Sequence, residues 1–138
     1  MRELRFCLSL TGTARPEDEL GAQMRVEAAG VLDPASEFAV LAGGPEVVFD
    51  SLVENEADGV FSESGTLRFA NGTISFITEN AGNIDDCAEP TLQHGRVVWA
   101  VEGGTGAFDG ASGYILSNFT VSELAEVRDL QAGIVFLP

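Results

Sequence analysis

The sequence predicts an all-β protein built as an antiparallel β-barrel of eight or nine strands. Eight or nine runs of β-forming residues recur along the 138 residues, turn-forming residues separate them, and no long helical period interrupts them. A sandwich fits the same pattern. A barrel leaves no free strand edge, and eight strands enclose just enough room for side chains or one small ligand. The length is that of a single domain over residues 1–138.

The first strand is the clearest. Residues 4–13 alternate apolar and polar side chains, which is typical of a strand with one buried face. The polar stretch 15–20 is expected to form a turn or a single helical turn. Residues 22–29 also alternate, but their helix propensity is high, so strand and helix both remain open and strand is favoured.

The middle of the chain continues the pattern. Residues 37–41 form a short apolar run, and Gly43-Gly44-Pro45 closes it with a strong turn sequence. Residues 46–54 and 58–70 are predicted as the next two strands, with an acidic segment between them.

Asn71-Gly72 predicts a β-hairpin with a type I′ turn, because that turn needs residues that tolerate positive φ at both central positions. With this pair at the turn, Phe69 would face Ile74 across the hairpin. The apolar side chains that would share one face are Leu67, Phe69, Ile74 and Phe76.

The last third contains a long loop and three more strands. Residues 80–95 are predicted to be irregular, and residues 97–102, 114–122 and 126–136 to be strands. Five glycines between residues 103 and 113 predict a tight corner, since glycine reaches positive φ without a Cβ clash. A nucleotide-binding loop is disfavoured: the GxGxxG spacing fails at Asp109, and no helix is expected to follow.

The stretch AVEGGTGAFDGASGYIL at 100–116 resembles the signature of the dirigent and allene oxide cyclase superfamily. In that family a strand ends in Gly-Gly-(Thr/Ala)-Gly-x-Phe-x-Gly-Ala-x-Gly before the next strand begins. The matching positions are Gly103, Gly104, Thr105, Gly106, Phe108, Gly110, Ala111 and Gly113, and Tyr114 also fits the dirigent version. The resemblance implies a small eight-stranded barrel, dimeric or trimeric, that holds a hydrophobic substrate in its lumen.

The resemblance leaves the reaction open. Plant members include allene oxide cyclases and non-enzymatic guides of radical coupling, and bacterial relatives include cyclases of polyketide pathways. The catalytic residues of the plant cyclases lie on early strands, where this sequence shows no match. All seven basic residues are Arg, as expected from a GC-rich genome, so the resemblance favours a bacterial natural-product cyclase.

The charge of −15 excludes whole classes of partner. Nucleic acids and anionic membranes both require basic surfaces, and this chain has 22 acidic residues against 7 basic ones. No secretion signal or apolar membrane span is visible, so a cytoplasmic location is expected. Cys7 and Cys87 are then expected to be reduced, although one disulfide between them remains possible.

No metal or other cofactor is expected. The polar residues Asp85, Asp86, Cys87, Glu89 and His94 fall close together in the long loop, but their spacing fits no known metal motif. A solvated acidic loop explains them better. There is also no nucleophile elbow and no Cys–His arrangement for covalent hydrolysis.

The candidate catalytic residues are Glu63 and Tyr114. Strand alternation places Glu63 and Thr78 on the apolar face of the hairpin, and a carboxyl in an apolar lumen has a raised pKa that suits acid–base work. A bulge at Ser64-Gly65 would instead turn Glu63 outward. Tyr114 is either a lumen hydrogen-bond donor or a structural tether. The candidate substrate-binding residues are Met24, Phe69, Phe76, Thr78, Trp99 and Asn118, with Trp99 either core or pocket wall.

Three functions remain. The first is a cofactor-free cyclase or isomerase that folds a hydrophobic, polyketide-like intermediate in the lumen and assists with an acid or hydrogen-bond donor. The second is a non-catalytic, dirigent-type binding protein. The third is an interaction module with a filled barrel. A packed interior excludes the first two, and an open lumen of about 300 Å³ or more, typical of small-ligand sites, keeps both.

Overall fold

The computed structural model describes residues 1–138 and consists of nine β-strands and one short helix. The elements in chain order are β1 (Arg2–Pro16), β2 (Gln23–Val31), α1 (Glu37–Ala42), β3 (Glu46–Asn55), β4 (Val60–Phe69), β5 (Gly72–Thr78), β6 (Gly82–Asp86), β7 (Leu92–Gly106), β8 (Ser112–Ser122) and β9 (Glu126–Leu137). The segment 22–29, which the sequence left ambiguous, is therefore a strand.

The strands close into a barrel, as predicted. They run in the order β3-β2-β1-β9-β8-β7-β5-β4, and β4 pairs back onto β3. Short β6 pairs with β4 and β7 beyond the end of β5, so β5 and β6 together fill one of eight positions. Every pairing is antiparallel.

Strand alternation sets the interior, as the first strand illustrates. Leu4, Phe6, Leu8 and Leu10 are each at most 5% exposed, whereas the residues between them face solvent. The same alternation holds on the other long strands, and the inward side chains merge into one apolar core.

The apolar run at 37–41 is a helix, which the sequence analysis did not anticipate. Ser36 caps its N-terminus by accepting the Ala39 N–H, and Gly43 ends it in the left-handed conformation at φ 85°. Phe38 is fully buried and lies 4.7 to 5.5 Å, ring centre to ring centre, from the rings of Phe6, Phe69 and Phe108. These four rings, which we call the phenylalanine plug, close one end of the barrel.

The hairpin forms between β4 and β5, but the predicted register was wrong by two residues. Phe69 pairs with Gly72, so the turn is centred on Ala70 and Asn71, and neither has the positive φ of a type I′ turn. Contacts with other elements hold Asn71: its backbone N–H donates to Ala42 O, and its carbonyl accepts from Ala107 N. A register shift of two residues leaves every side chain on the same face of the hairpin. The predicted apolar face is therefore confirmed.

The glycine segment forms a corner between β7 and β8, as predicted. Gly106 has φ 59°, and a Cβ there would collide with the carbonyl oxygen of Asn71. No helix follows, and Phe108 points from the corner into the phenylalanine plug. The corner therefore packs the hairpin turn and α1 together at the closed end.

The predicted irregular stretch 80–95 is partly strand, which corrects the sequence analysis. Residues 82–86 form β6, and β7 begins at Leu92. The pattern was hidden because β6 is short and its partners, β4 and β7, are distant in the chain or beyond a turn.

No helix of the structure is long and apolar enough to cross a membrane. Both Cys7 and Cys87 are free thiols.

Candidate functional site

The lumen contains a cavity of about 240 Å³ at the end opposite the phenylalanine plug. Its rim lies where β1, β3 and β8 end and β2, β4 and β9 begin. Ten of the fifteen residues that line it are hydrophobic, among them Met24, Val53, Phe61, Phe119 and Val127. The interior is therefore not packed solid, as the interaction-module hypothesis required, but the cavity is smaller than the roughly 300 Å³ expected for a small-ligand site.

Three stacked aromatic rings lie at the bottom of the cavity. Phe76 and Trp99 have ring centroids 4.1 Å apart, and Phe49 lies 5.6 and 5.7 Å from them. Phe49 lines the cavity, while Phe76 and Trp99 are buried beneath it. Trp99 is thus closer to core than to pocket wall.

Glu63 faces the lumen and is 7% exposed. The β3–β4 ladder runs without a register shift through Ser64 and Gly65, so no bulge turns the carboxyl outward. Ser51 on β3 donates a hydrogen bond from Oγ to Glu63 Oε2 at 2.6 Å. Burial raises the pKa of Glu63 to about 7, against the lowering effect of the Ser51 hydroxyl.

A second buried acid, Asp129 on β9, lines the same cavity at 6% exposure. Two side chains donate to its carboxyl: Ser117 Oγ at 2.7 Å and Gln131 Nε2 at 2.8 Å. Burial raises the pKa of Asp129, and these hydrogen bonds oppose the rise. Sequence analysis missed this residue, although Asp129 alternates in phase with Val127 and would have been found by extending the inward pattern of β9.

The two acids lie on opposite walls. From β4 to β9 is four strand steps around the barrel in either direction, so these strands face each other. Each acid accepts a hydrogen bond from a serine that lies twelve residues earlier, on the preceding strand. Ser51 on β3 donates to Glu63, and Ser117 on β8 donates to Asp129. An ionised Asp129 further raises the pKa of Glu63.

The other predicted site residues divide between the lumen and elsewhere. Met24 lines the cavity. Phe69 belongs to the phenylalanine plug at the closed end and does not contact the cavity. Thr78 does not line the cavity either: its hydroxyl accepts from the Glu63 N–H at 2.6 Å and donates to the Glu63 carbonyl at 2.9 Å. Thr78 thus fixes the backbone of Glu63 where β5 ends.

Tyr114 and Asn118 lie on the outside of the barrel, which corrects their predicted place in the lumen. Both residues have the outward parity of β8; Tyr114 is 53% exposed, and Asn118 Oδ1 contacts His94 Nε2. The inward residues of β8 are instead Ile115 and Ser117. A phenol pointing to solvent cannot donate to a ligand inside.

The polar residues of the segment 85–94 do not gather into a metal site. No group of three His, Cys, Asp or Glu side chains in the structure has the geometry to hold a metal ion. Asp85 pairs with Arg96 on the surface, and Cys87 donates to backbone carbonyls of Glu89 and Leu92. The chemistry available in the lumen is therefore that of two buried carboxyls in an apolar chamber.

A closed antiparallel barrel with a cavity open at one end defines the architectural class, and such a cavity has room for a small ligand. Searches of protein-family models and of curated proteins find no match. Among solved structures, the pterocarpan synthase dirigent protein GePTS1 is similar over 97% of this chain and 84% of its own, with a TM-score of 0.62 and 12% identity. At that identity the similarity shows a dirigent-like barrel fold.

Proposed function

We propose that this protein binds a small hydrophobic intermediate in its lumen and promotes its cyclisation or isomerisation without a cofactor. The observation that carries the proposal is the Glu63 carboxyl, which lies in an apolar cavity with a pKa near neutrality. Such a group is partly protonated at pH 7 and serves as a hydrogen-bond donor or general acid. The apolar walls hold the flexible ligand in a reactive conformer.

The dirigent-like fold supports the same proposal. The solved neighbour is described as a pterocarpan synthase dirigent protein, and its barrel aligns with nearly the whole of this chain. The expected substrate is polyketide-like and the expected source bacterial. The cavity of 240 Å³ is below the range of about 300–1,000 Å³ typical of drug-sized ligands, so a longer chain would extend through the open end.

Turnover of a synthetic polyene bearing a 1,3-diketone tests the proposal. Glu63→Gln keeps the shape and the Ser51 hydrogen bond but removes the acid, so the rate is expected to fall about 100-fold. Tyr114→Phe is the matched control, because that phenol lies outside the lumen, and its rate should equal that of the wild type. Equal rates for all three proteins would assign no catalytic role to Glu63.

The second candidate function is non-catalytic binding of the dirigent type. The lining of the lumen supports this candidate, because ten of its fifteen residues are apolar and can hold a ligand but cannot exchange protons with it. In that case the Glu63→Gln variant would bind the diketone as tightly as the wild type, and neither protein would turn it over faster than buffer.

We also propose that the chain forms a homodimer or homotrimer in the cytoplasm. Val98 and Leu116 are cross-strand neighbours on the outer face, and together with Tyr114 they expose an uncharged apolar surface on a very acidic protein. Sedimentation velocity of the wild type against Leu116→Glu tests the assembly.

The two free thiols fit a reducing compartment such as the cytoplasm, and cell fractionation tests this proposed location.

A further inference from the structure

Asp129 is a buried carboxyl without a positively charged partner. Two side-chain donors, Ser117 and Gln131, hydrogen-bond to it, yet no Arg or His is among the fifteen residues that line the cavity. The neighbouring Arg128 has the outward parity of β9 and is exposed. Buried charges in proteins are normally paired, since leaving one unpaired in an apolar environment is costly.

A second unsatisfied group lies beside Asp129. Gln131 is 2% exposed and donates through Nε2 to Asp129 Oδ2, but its Oε1 has no hydrogen-bond partner. Buried side-chain acceptors without partners are rare in native proteins. The Asp129 carboxyl, which lines the cavity, therefore has as its neighbour a buried amide whose oxygen lacks a donor.

The walls around this carboxyl are apolar and partly aromatic. Phe49, Phe61 and Phe119 all line the cavity, and aromatic rings attract organic cations as well as hydrocarbon. An inorganic cation would find only two side-chain carboxyls on opposite walls, and the structure contains no cluster of metal-ligating side chains. The chamber fits a charged group attached to an apolar body.

We infer that the lumen binds a small hydrophobic organic cation, with its protonated amine against the Asp129 carboxyl and its apolar body among the aromatic side chains. An ammonium group supplies the missing positive charge and donates a charge-assisted hydrogen bond to that carboxyl. This inference rests on the proposed function only in placing the ligand in the lumen. It narrows the substrate to a hydrophobic intermediate that carries one basic nitrogen.

The two acids then have separate tasks. Asp129, which accepts hydrogen bonds from Ser117 and Gln131, anchors the ammonium group, and Glu63 on the opposite wall, with a pKa of about 7, remains the acid. The only titratable group facing Asp129 across the cavity is Glu63; the facing residues of β8, Ser117 and Phe119, do not titrate. Amine affinity should therefore fall as the pH is lowered through the titration of Asp129.

The test uses two probes of equal size, 2-phenylethylamine and the neutral 2-phenylethanol. Trp99 is the only tryptophan and lies beneath the cavity, so its fluorescence reports both. We expect the amine to bind the wild type at least about tenfold more tightly, as for a charge-assisted hydrogen bond. Asp129→Asn should abolish this preference and leave the affinity for the alcohol unchanged.

Glu126→Gln is the matched control. It removes one negative charge from an exposed position of the same strand, so it should retain the amine preference if Asp129 acts locally. A preference lost equally in both variants would show bulk attraction to an acidic protein and overturn the inference. If Asp129→Asn does not fold, acidification of the wild type gives the answer, because an amine preference unchanged as Asp129 protonates also overturns it.

The outcomes separate this inference from the proposed function. If the alcohol binds as tightly as the amine, the lumen still binds hydrophobic ligands and only the cation site is refuted. If neither probe binds while the diketone is turned over, the cation site is refuted and the cyclase proposal stands. If no probe binds and the diketone is not converted, both are wrong.

Discussion

Glu63 and Asp129 face the same cavity from strands on opposite sides of the barrel, and each accepts a hydrogen bond from a buried serine. Their pKa values are raised for the same first reason, burial, but their surroundings differ. Asp129 accepts from two side chains, Ser117 and Gln131, whereas Glu63 accepts from Ser51 alone. The carboxylate form is therefore better stabilised by hydrogen bonds at Asp129 than at Glu63.

Folding stability should depend on pH through Glu63. Its pKa is about 7 in the folded state and 4.5 in the reference state, so the folded protein holds the proton more tightly. The stabilisation is complete below pH 4.5 and is lost as the pH rises to about 7, by roughly 3 kcal/mol. Urea unfolding at pH 5 and pH 8 measures it. Glu63→Gln should lose this part of the slope, and a slope identical to that of the wild type would refute the assignment.

Thr78 is expected to position Glu63 through the backbone. Thr78→Val removes both hydroxyl contacts with the N–H and carbonyl of Glu63 and should cost roughly 2 kcal/mol of unfolding free energy. Thr78→Ser keeps the hydroxyl and should recover most of the loss. Chemical denaturation of the three proteins decides this, and equal stability of the Val and Ser variants would contradict it.

The phenylalanine plug should carry much of the stability of the closed end. Phe38→Ala removes a fully buried ring that contacts three others, and a loss of about 3–5 kcal/mol is expected. Val40→Ala changes a residue of the same helix that is 73% exposed, so its unfolding free energy should stay within about 0.5 kcal/mol of the wild type. Similar losses in both variants would mean that the helix matters for another reason.

The corner glycine Gly106 should not tolerate a side chain. Its φ of 59° is strained for alanine, and the added Cβ would meet the carbonyl oxygen of Asn71. We expect Gly106→Ala to lower the unfolding free energy by at least about 1 kcal/mol. Thermal unfolding checks this beside Asp109→Ala, an exposed corner position that should be nearly neutral. A Gly106→Ala variant as stable as Asp109→Ala would show that the corner relaxes freely.

Local patterns were enough to predict the strands and their inward faces. Alternation identified β1, and it placed Glu63 inside correctly because β3 and β4 pair without a bulge. The same rule would have found Asp129. Tyr114 was chosen by residue type and not by this rule, since the parity of β8 directs that side chain outward.

Distant contacts decided what local patterns could not. The centre of the hairpin turn lies one residue earlier than predicted, which changes the pairing by two residues. Contacts of Asn71 with α1 and the glycine corner cause this, and a local turn rule does not include such distant partners. The short β6 exists only because β4 and β7 leave their edges free beyond the end of β5.

An antiparallel barrel with a glycine corner and a buried glutamate could be predicted from local patterns, because strand period and turn chemistry act over a few residues. Only the tertiary structure decided that Glu63 has Asp129 opposite it and that one end of the cavity is plugged while the other is open. Closure of the barrel brings together residues 66 positions apart, and burial then sets their charge, since desolvation depends on every wall at once.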